Sequence, residues 1–283
     1  MIFWIASYPK SGNTWLRALL SSYFYSEDGT FNQELLKNIA QFPEKRHFID
    51  FNYNTKIVTD TSRFWIKAQE KINQNNKLNF FKTHNILGSI NNNNFTNKKN
   101  TAGAIYIVRD PRNVLTSIQN HYELSRDEAL KFMLSETKYI HDYHVKDDFS
   151  DFQFISSWEK NYKSWVDQKS FPVKLVKYED LSLKTLDIFI EIIEFIQKIT
   201  HEKNDLNHIK AQNCVKSTNF ENMKNMETNN GFLESVLSKN HPKKIPFFHL
   251  GPKNDWKSMF DNNYQEKLNI TFENILKELD YQK

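Results

Sequence analysis

Lys10, Ser11, Gly12, Asn13, Thr14 and Trp15 follow one another in the chain. They combine a cation, three small hydrogen-bonding side chains, a glycine and an aromatic ring. That mixture suits an anionic ligand. Lysine supplies charge, the hydroxyls and the amide supply hydrogen bonds, and glycine lets the backbone approach closely. A strand ending just before them and a helix starting just after would add more. The first helical turn leaves N–H groups unpaired, and the helix dipole makes that end positive. The stretch is built like a phosphate cradle. It is not a Walker A loop, because there is no second glycine and no Gly-Lys-Ser/Thr. In such loops a Ser or Thr directly after Gly-Lys helps hold magnesium; here the lysine comes early and the aromatic Trp15 late, and a ligand bound without metal is expected. Trp15 is placed to stack on a base. PKSG alone would read as a polar turn with a surface lysine, so the longer string carries the argument.

These residues need elements to hold them. Residues 2–6 are a continuous apolar run, the pattern of a buried parallel strand. From Thr14 to Phe24, the residues Trp15, Leu16, Leu19, Leu20 and Tyr23 recur at helical spacing. LNFFK (78–82), GAIYIVR (103–109) and PVKLVKY (172–178) predict three more strands. The second runs into Asp110-Pro111, a helix-start signal, followed by an apolar face of Val114, Leu115 and Ile118. The third precedes a long apolar helix near 183–199. Strand then helix, repeated, predicts an α/β fold: a P-loop-like parallel β-sheet flanked by helices on both faces. One domain is expected over 1–283, with its motifs in 2–260 and a C-terminal helix at about 262–280. The asparagine-rich stretch 91–100 reads as a flexible loop.

Of the 283 residues, 39% are hydrophobic and 25% charged, the balance of a globular protein. A net charge of +4 favours an anionic ligand slightly. It falls short of the dense basic face of a nucleic-acid binder, so no nucleic acid is expected. One cysteine, Cys214, precludes an intrachain disulfide and fits a reducing, cytoplasmic setting. No apolar run approaches membrane-spanning length; the candidate at 186–196 is interrupted by Glu191 and Glu194. The N-terminus lacks the basic region of a signal peptide.

PKSGNTWLR (9–17) resembles the 5′-phosphosulfate-binding loop of the sulfotransferase family. Members of that family transfer a sulfuryl group from 3′-phosphoadenosine 5′-phosphosulfate (PAPS). The resemblance makes Lys10, Ser11, Gly12, Asn13, Thr14 and Trp15 cofactor-binding residues. Further family segments follow in order. IYIVRDPRNVLTSIQNHY (105–122) resembles the 3′-phosphate segment, which implies that Arg109 and Ser117 hold that phosphate. A planar guanidinium suits the task; Arg112 reads as a surface charge or a helper. FFKTHN (80–85) resembles the family's Lys-Thr-His strand end, which makes His84 the catalytic base and gives Lys82, with Lys10, the charge growing in transfer. The chemistry agrees: an attacking hydroxyl must lose its proton, and imidazole titrates near working pH. KYEDL (177–181) resembles a Tyr-Glu-Asp segment that places Tyr178 near adenine. STNFENMKNM (217–226) resembles an adenine-contacting segment with Thr218, Phe220 and Met223 in the matching places, so that Phe220 and Trp15 would take opposite faces of the base. On spacing alone, these last two read equally as a helix start and a core helix.

FFHLGPKNDWKSMF (247–260) resembles the family's Arg-Lys-Gly-x-x-Gly-Asp-Trp-Lys motif. Gly251, Asp255, Trp256 and Lys257 match. His249 and Leu250 replace the Arg-Lys pair, and Asn254 replaces the second glycine. The pair normally clamps the 3′-phosphate; here the backbone N–H groups of Leu250 and Gly251 remain, with Lys253 nearby as a substitute charge. In the family's dimerisation pattern Lys257 and Glu266 fit, but Asp261 and Asn262 stand where Thr-Val should be. That dimer is not expected, and the oligomeric state stays open.

The resemblance spans residues 2–260. It implies a PAPS-dependent enzyme that sulfates a hydroxyl (or amine) acceptor by in-line transfer without metal. The acceptor, a glycan, lipid or small molecule, is not written in the motifs. Segments 26–75 and 119–150 are candidates for its site, the first through Phe31, Phe48, Phe51, Tyr53, Phe64 and Trp65, which could instead pack only each other. Two alternatives stand beside this reading. A P-loop-type nucleotide kinase is disfavoured by the missing Gly-Lys-Ser/Thr and Walker B carboxylate. A non-catalytic nucleotide-binding scaffold gains weight from the altered Arg-Lys pair, yet Lys10, Lys82 and His84 are all intact and a pure binder needs no base.

Overall fold

The structure, a computed structural model, describes residues 1–142, 145–201, 205–238 and 241–282. Four strands form a parallel sheet: β1 (Ile2–Ala6), β2 (Asn79–Thr83), β3 (Thr101–Val108) and β4 (Val173–Lys177), in the spatial order β2–β1–β3–β4. Phe3 pairs with Phe80 on one side and Gly103 on the other. From β1 the chain moves to one side for β2, then crosses back for β3. That reversal opens a crevice at the C-terminal ends of β1 and β3, where open α/β sheets bind ligands.

In chain order the helices are α1 (Asn13–Tyr25), α2 (Trp65–Asn73), α3 (Pro111–Tyr122), α4 (Arg126–Leu134), α5 (Trp158–Val166), α6 (Tyr178–Leu183), α7 (Thr185–Thr200), α8 (His208–Ser217), α9 (Phe220–Asn230), α10 (Trp256–Met259), α11 (Asn262–Thr271) and α12 (Glu273–Glu278). Strand alternation divides the core in two. Trp4 and Ala6 of β1, with Tyr106 and Val108 of β3, enter a core closed by Val114 of α3, Trp158 of α5 and Leu268 of α11. Phe3, Ile5, Ile105 and Ile107 enter a second core with Leu16 and Leu19 of α1, Ile192 of α7 and Cys214 of α8. Both faces are therefore covered, and β1 must be apolar along its whole length.

Two expectations change. The C-terminal helix is two helices, parted at Phe272. The stretch 91–100 is not a free loop. Asn93–Asn94 pairs antiparallel with Ser89–Ile90, and Phe95 is buried against Trp4, Phe42, Trp65 and Trp165. Gln69 Nε2 holds the Phe95 carbonyl at 2.6 Å. One buried ring fixes a segment whose asparagines look unstructured.

Candidate active site

The turn after β1 carries two residues in the left-handed region, Lys10 (φ 67) and Gly12 (φ 98). At Gly12 the need is steric as well, since a Cβ would come within 2.5 Å of the Tyr178 ring. Asn13 Nδ2 donates to the Ile5 carbonyl at 3.0 Å and to Ser7 Oγ at 3.1 Å, which pins the start of α1 to the end of β1. No side chain caps the first turn of α1. Asn13, Thr14 and Trp15, which open that helix, line a cavity of about 410 Å³ at the crevice.

Lys10 and Gly12 line the same cavity. So do Lys82 and His84 from the end of β2, Arg109 and Ser117 from β3 and α3, and Tyr178 after β4. The C-terminal third contributes Thr218, Phe220, Leu250 and Gly251. Ser11 is not among the lining residues; it is buried, and its Oγ has no partner. The Thr218 hydroxyl bonds the Cys214 carbonyl at 2.8 Å. Lys253 is exposed and does not line the cavity, whereas His249 does.

His84 is held on several sides. Its backbone N–H donates to Gln153 Oε1 at 2.7 Å, and its carbonyl accepts from Asn161 Nδ2 at 2.9 Å. Ring Nδ1 lies 2.8 Å from the Ser7 carbonyl, an acceptor only, so Nδ1 carries the proton and Nε2 keeps its lone pair. Burial, with the Lys82 charge, pushes the imidazole pKa down to about 3. His84 is thus a neutral, oriented imidazole. Burial also lowers Lys10 to about 8, and lowers Lys82, with the Glu234 carboxylate opposing the shift in both. Lys10 Nζ sits 4.1 Å above the Phe247 ring and 3.5 Å from His121 Nδ1.

The arginine side is built by stacking. The Arg109 guanidinium lies 4.2 Å over the Tyr178 ring and reaches the Gly251 carbonyl at 3.4 Å. Gly251 (φ 54) packs so closely that a Cβ would meet the Phe220 ring at 2.1 Å. Trp15 meets Tyr178 edge-on at 5.7 Å, on the Tyr178 side of the cavity. Asn254, the departure from the family's glycine, bonds α3 at three points: Thr116 Oγ1 at 2.8 Å, the Asn113 carbonyl at 2.9 Å and Ser117 Oγ at 3.2 Å. Arg112 is a buried structural residue. It pairs with Asp110 at 2.7 Å, donates to Asn269 Oδ1 and the Tyr281 carbonyl, and lies 4.2 Å over the Trp256 ring. That contact gives the motif's tryptophan a packing role.

Sequence reasoning missed Glu234. Its carboxylate accepts from Thr14 Oγ1 at 2.5 Å, from Arg17 Nη1, and from Lys82 Nζ at 3.3 Å. Lys82, Arg17 and the Thr14 hydroxyl hold it well below the usual carboxylate range against the cost of burial. His121 and Phe247, which flank Lys10, were missed too. Glu234 stands in no recognisable motif, whereas His121 and Phe247 lie in segments read for other residues, and only the fold brings Glu234 and Phe247 to the cradle.

The cradle also holds polar atoms that await a partner. Ser11 Oγ, Trp15 Nε1 and Arg109 Nε are buried without one. Beside the Lys10 charge and the open first turn of α1, Trp15 and Arg109 fit a phosphate-bearing aromatic ligand. Fold and cradle define an α/β protein built to hold such a ligand. The sulfotransferase domain profile matches residues 2–280, so the chain belongs to that family and is a sulfotransferase. It is 23% identical over 278 residues to an amine sulfotransferase of Oryctolagus cuniculus, covering 97% of this chain and 80% of that protein. It is 24% identical over 264 residues to a luciferin sulfotransferase of Photinus pyralis, covering 89% of this chain and 65% of that protein. In fold it resembles a crystal structure of retinol dehydratase in complex with androsterone and inactive cofactor PAP. There the TM-score is 0.59 at 16% identity, over 98% of this chain and 80% of that one.

Proposed function

We propose that the chain, as one domain, transfers the sulfuryl group of PAPS to an acceptor hydroxyl with His84 as the base. PAPS supplies the sulfuryl group on its 5′-phosphate. The first turn of α1, Thr14 and Lys10 hold that phosphate, Arg109 and Ser117 hold the 3′-phosphate, and Trp15 and Phe220 flank adenine with Tyr178 beside it. Ser11 is buried in the turn and is not among the lining residues, so it is given no ligand contact. His84 Nε2 takes the acceptor proton as the acceptor oxygen bonds to sulfur. The sulfur–oxygen bond to the 5′-phosphate breaks, and its electron pair stays on the phosphate, where Lys10 meets the charge; Lys82 meets the sulfuryl oxygens. Positioning and electrostatics carry most of such a transfer. The donor's negative charge beside Lys82 offsets part of what depresses His84, so the base strengthens once the donor is bound.

One observation carries the reading: an imidazole whose Nδ1 is committed to the Ser7 carbonyl shares a cavity with two lysines and with Arg109. The altered Arg-Lys pair does not argue for a scaffold, because Asn254 and the Gly251 carbonyl link that segment to α3 and Arg109. A reducing compartment such as the cytoplasm suits the reading, since the sequence holds a single cysteine, Cys214. The test is calorimetric binding of adenosine 3′,5′-bisphosphate against AMP without added metal, followed by turnover of His84→Ala. Clear preference for the bisphosphate is expected, and a loss of about 10²–10⁴-fold in turnover with donor binding kept. Equal binding of AMP would reject the donor, and full turnover by His84→Ala would reject the base.

A further inference from the structure

We propose that Phe247, helped by His121, is a positioning residue for Lys10: its ring holds the ammonium in the donor site and leaves the N–H donors free for phosphate. This rests on the donor reading above. Lys10 Nζ lies 4.1 Å from the centre of the Phe247 ring and 3.5 Å from His121 Nδ1, and all three residues line the cavity. An ammonium only donates, so His121 Nδ1 accepts there. At 3.5 Å that bond is weak, and the ring carries most of the hold. His121 comes from 119–150, one of the segments expected to serve the acceptor; its ring flanks Lys10 instead.

The two transfer lysines are held in different ways. Lys82 pairs with Glu234 at 3.3 Å. Among the described residues no carboxylate pairs with Lys10, and Glu234 is committed to Thr14, Arg17 and Lys82. A cation withdrawn from water needs a compensating partner. The negative face of an aromatic ring supplies one. A carboxylate would attract the ammonium more strongly, but it would take up N–H donors and repel an incoming phosphate. A ring does neither. The ring is itself fixed. The Phe247 N–H donates to Glu227 Oε1 at 2.7 Å, and the Phe248 N–H to Oε2 at 2.9 Å. Phe232 and Phe248 pack against it with ring centres at 5.0 and 5.2 Å, and the His121 ring meets it edge-on at 6.3 Å. Other charges act on Lys10 as well. Burial lowers it to about 8; the Glu234 and Glu227 carboxylates oppose that shift, and the Lys82 and Arg109 charges add to it. Losing the ring would therefore discharge Lys10 close to neutral pH.

The experiment measures calorimetric affinity of the full chain for adenosine 3′,5′-bisphosphate from about pH 6.5 to 9.5. Three variants are compared with the wild type. Phe247→Leu removes the π face, and Phe247→Tyr keeps it. Replacement of Phe247 by 3,4,5-trifluorophenylalanine keeps the shape and drains negative charge from the face. Ratios of variant to wild type cancel the titration of the nucleotide itself. A desolvated cation–π contact is similar in size to one unit of pKa, so losing it should move the fall in affinity down by about one pH unit. Phe247→Leu and the fluorinated protein should then bind within about twofold of wild type at pH 6.5 and about tenfold more weakly at pH 9. Phe247→Tyr should follow the wild type. Should Phe247→Leu fail to fold, or differ from the fluorinated protein, the fluorinated protein decides. Loss by one factor at every pH would mean that Phe247 only packs its segment, and overturns the inference. So does an unchanged profile, or tighter binding. A wild-type affinity flat to about pH 9.5, or no binding of bisphosphate, would reject the donor role of Lys10 itself, and the inference with it.

Discussion

Glu234→Gln should make this protein less stable and yet tighten its hold on the donor. The carboxylate takes the Thr14 hydroxyl at 2.5 Å and Lys82 at 3.3 Å, two groups assigned to the donor, while also pairing with the buried Arg17. A donor must free both. Hydrogen bonds to a charged group contribute about 1.5–3 kcal/mol against about 0.5–1.5 for neutral ones. Glutamine therefore releases each group for roughly 1 kcal/mol less. Bisphosphate, which needs Thr14 but brings no sulfuryl group to Lys82, should gain about fivefold in affinity. PAPS, which needs both, should gain roughly 30-fold. Stability moves the other way. Arg17 keeps the Ile39 and Leu36 carbonyls at 2.9 and 3.1 Å but loses its ion pair. The carboxylate is partly exposed, so the loss is about 2 kcal/mol, less than for a fully buried pair, or roughly 3–4 °C in Tm for a chain of this length. The assays are calorimetry for bisphosphate, competition for PAPS and a thermal melt. Weaker binding of both nucleotides by a folded Glu234→Gln protein would refute the reasoning, because Glu234 would then be helping the donor and not holding its place.

Other outcomes follow from the same contacts. Lys10, lowered to about 8, is charged below that pH and neutral above it, so bisphosphate affinity should fall with rising pH, by up to about tenfold per unit above pH 8. An affinity flat to about pH 9.5 would remove Lys10 from the anion site. Asn254→Ala removes three bonds to α3 and should weaken bisphosphate binding by about tenfold, read by calorimetry; no change would mean that Ser117 is placed without it. Burial pushes His47, His84 and His121 down to about 4, 3 and 2. As pH falls below 6.5 the unfolded chain binds protons that the folded chain does not, so stability should drop between pH 7 and 5. Each histidine contributes at most about 1.4 kcal/mol per pH unit. Denaturant midpoints that do not move over that range would contradict the burial of all three.

The sheet was legible because its strands are buried on both faces. Residues 2–6 had no polar residue to blur the signal, and the element observed there has the same bounds. Asp110-Pro111 marked the start of α3 because both residues act locally, as N-cap and first turn. The cradle could be read for the same reason, since consecutive residues in one turn share a site whatever the rest of the chain does. Glu234 could not. Its partners Thr14, Arg17 and Lys82 lie 152 or more positions away in sequence, and nothing local distinguishes it from any surface glutamate. Phe95 failed differently: the asparagines around it carried the compositional signal, while its burial depends on Trp4, Trp65 and Trp165 from other elements. Asn254 read as damage to a motif, and only its bonds to α3 reveal a replacement tether.

Arg112 has a consequence for how remote parts of the chain communicate. It ties Asp110, at the head of α3, to Asn269 in α11 and to the Tyr281 carbonyl beyond α12. Ser117 rides on the same α3. Whatever steadies α3 should therefore steady α11 and α12, and loosening them should be felt at Ser117, since coupling between binding and docking is reciprocal. Hydrogen exchange along 262–281 would then report occupancy of a nucleotide site to which those residues contribute no lining side chain.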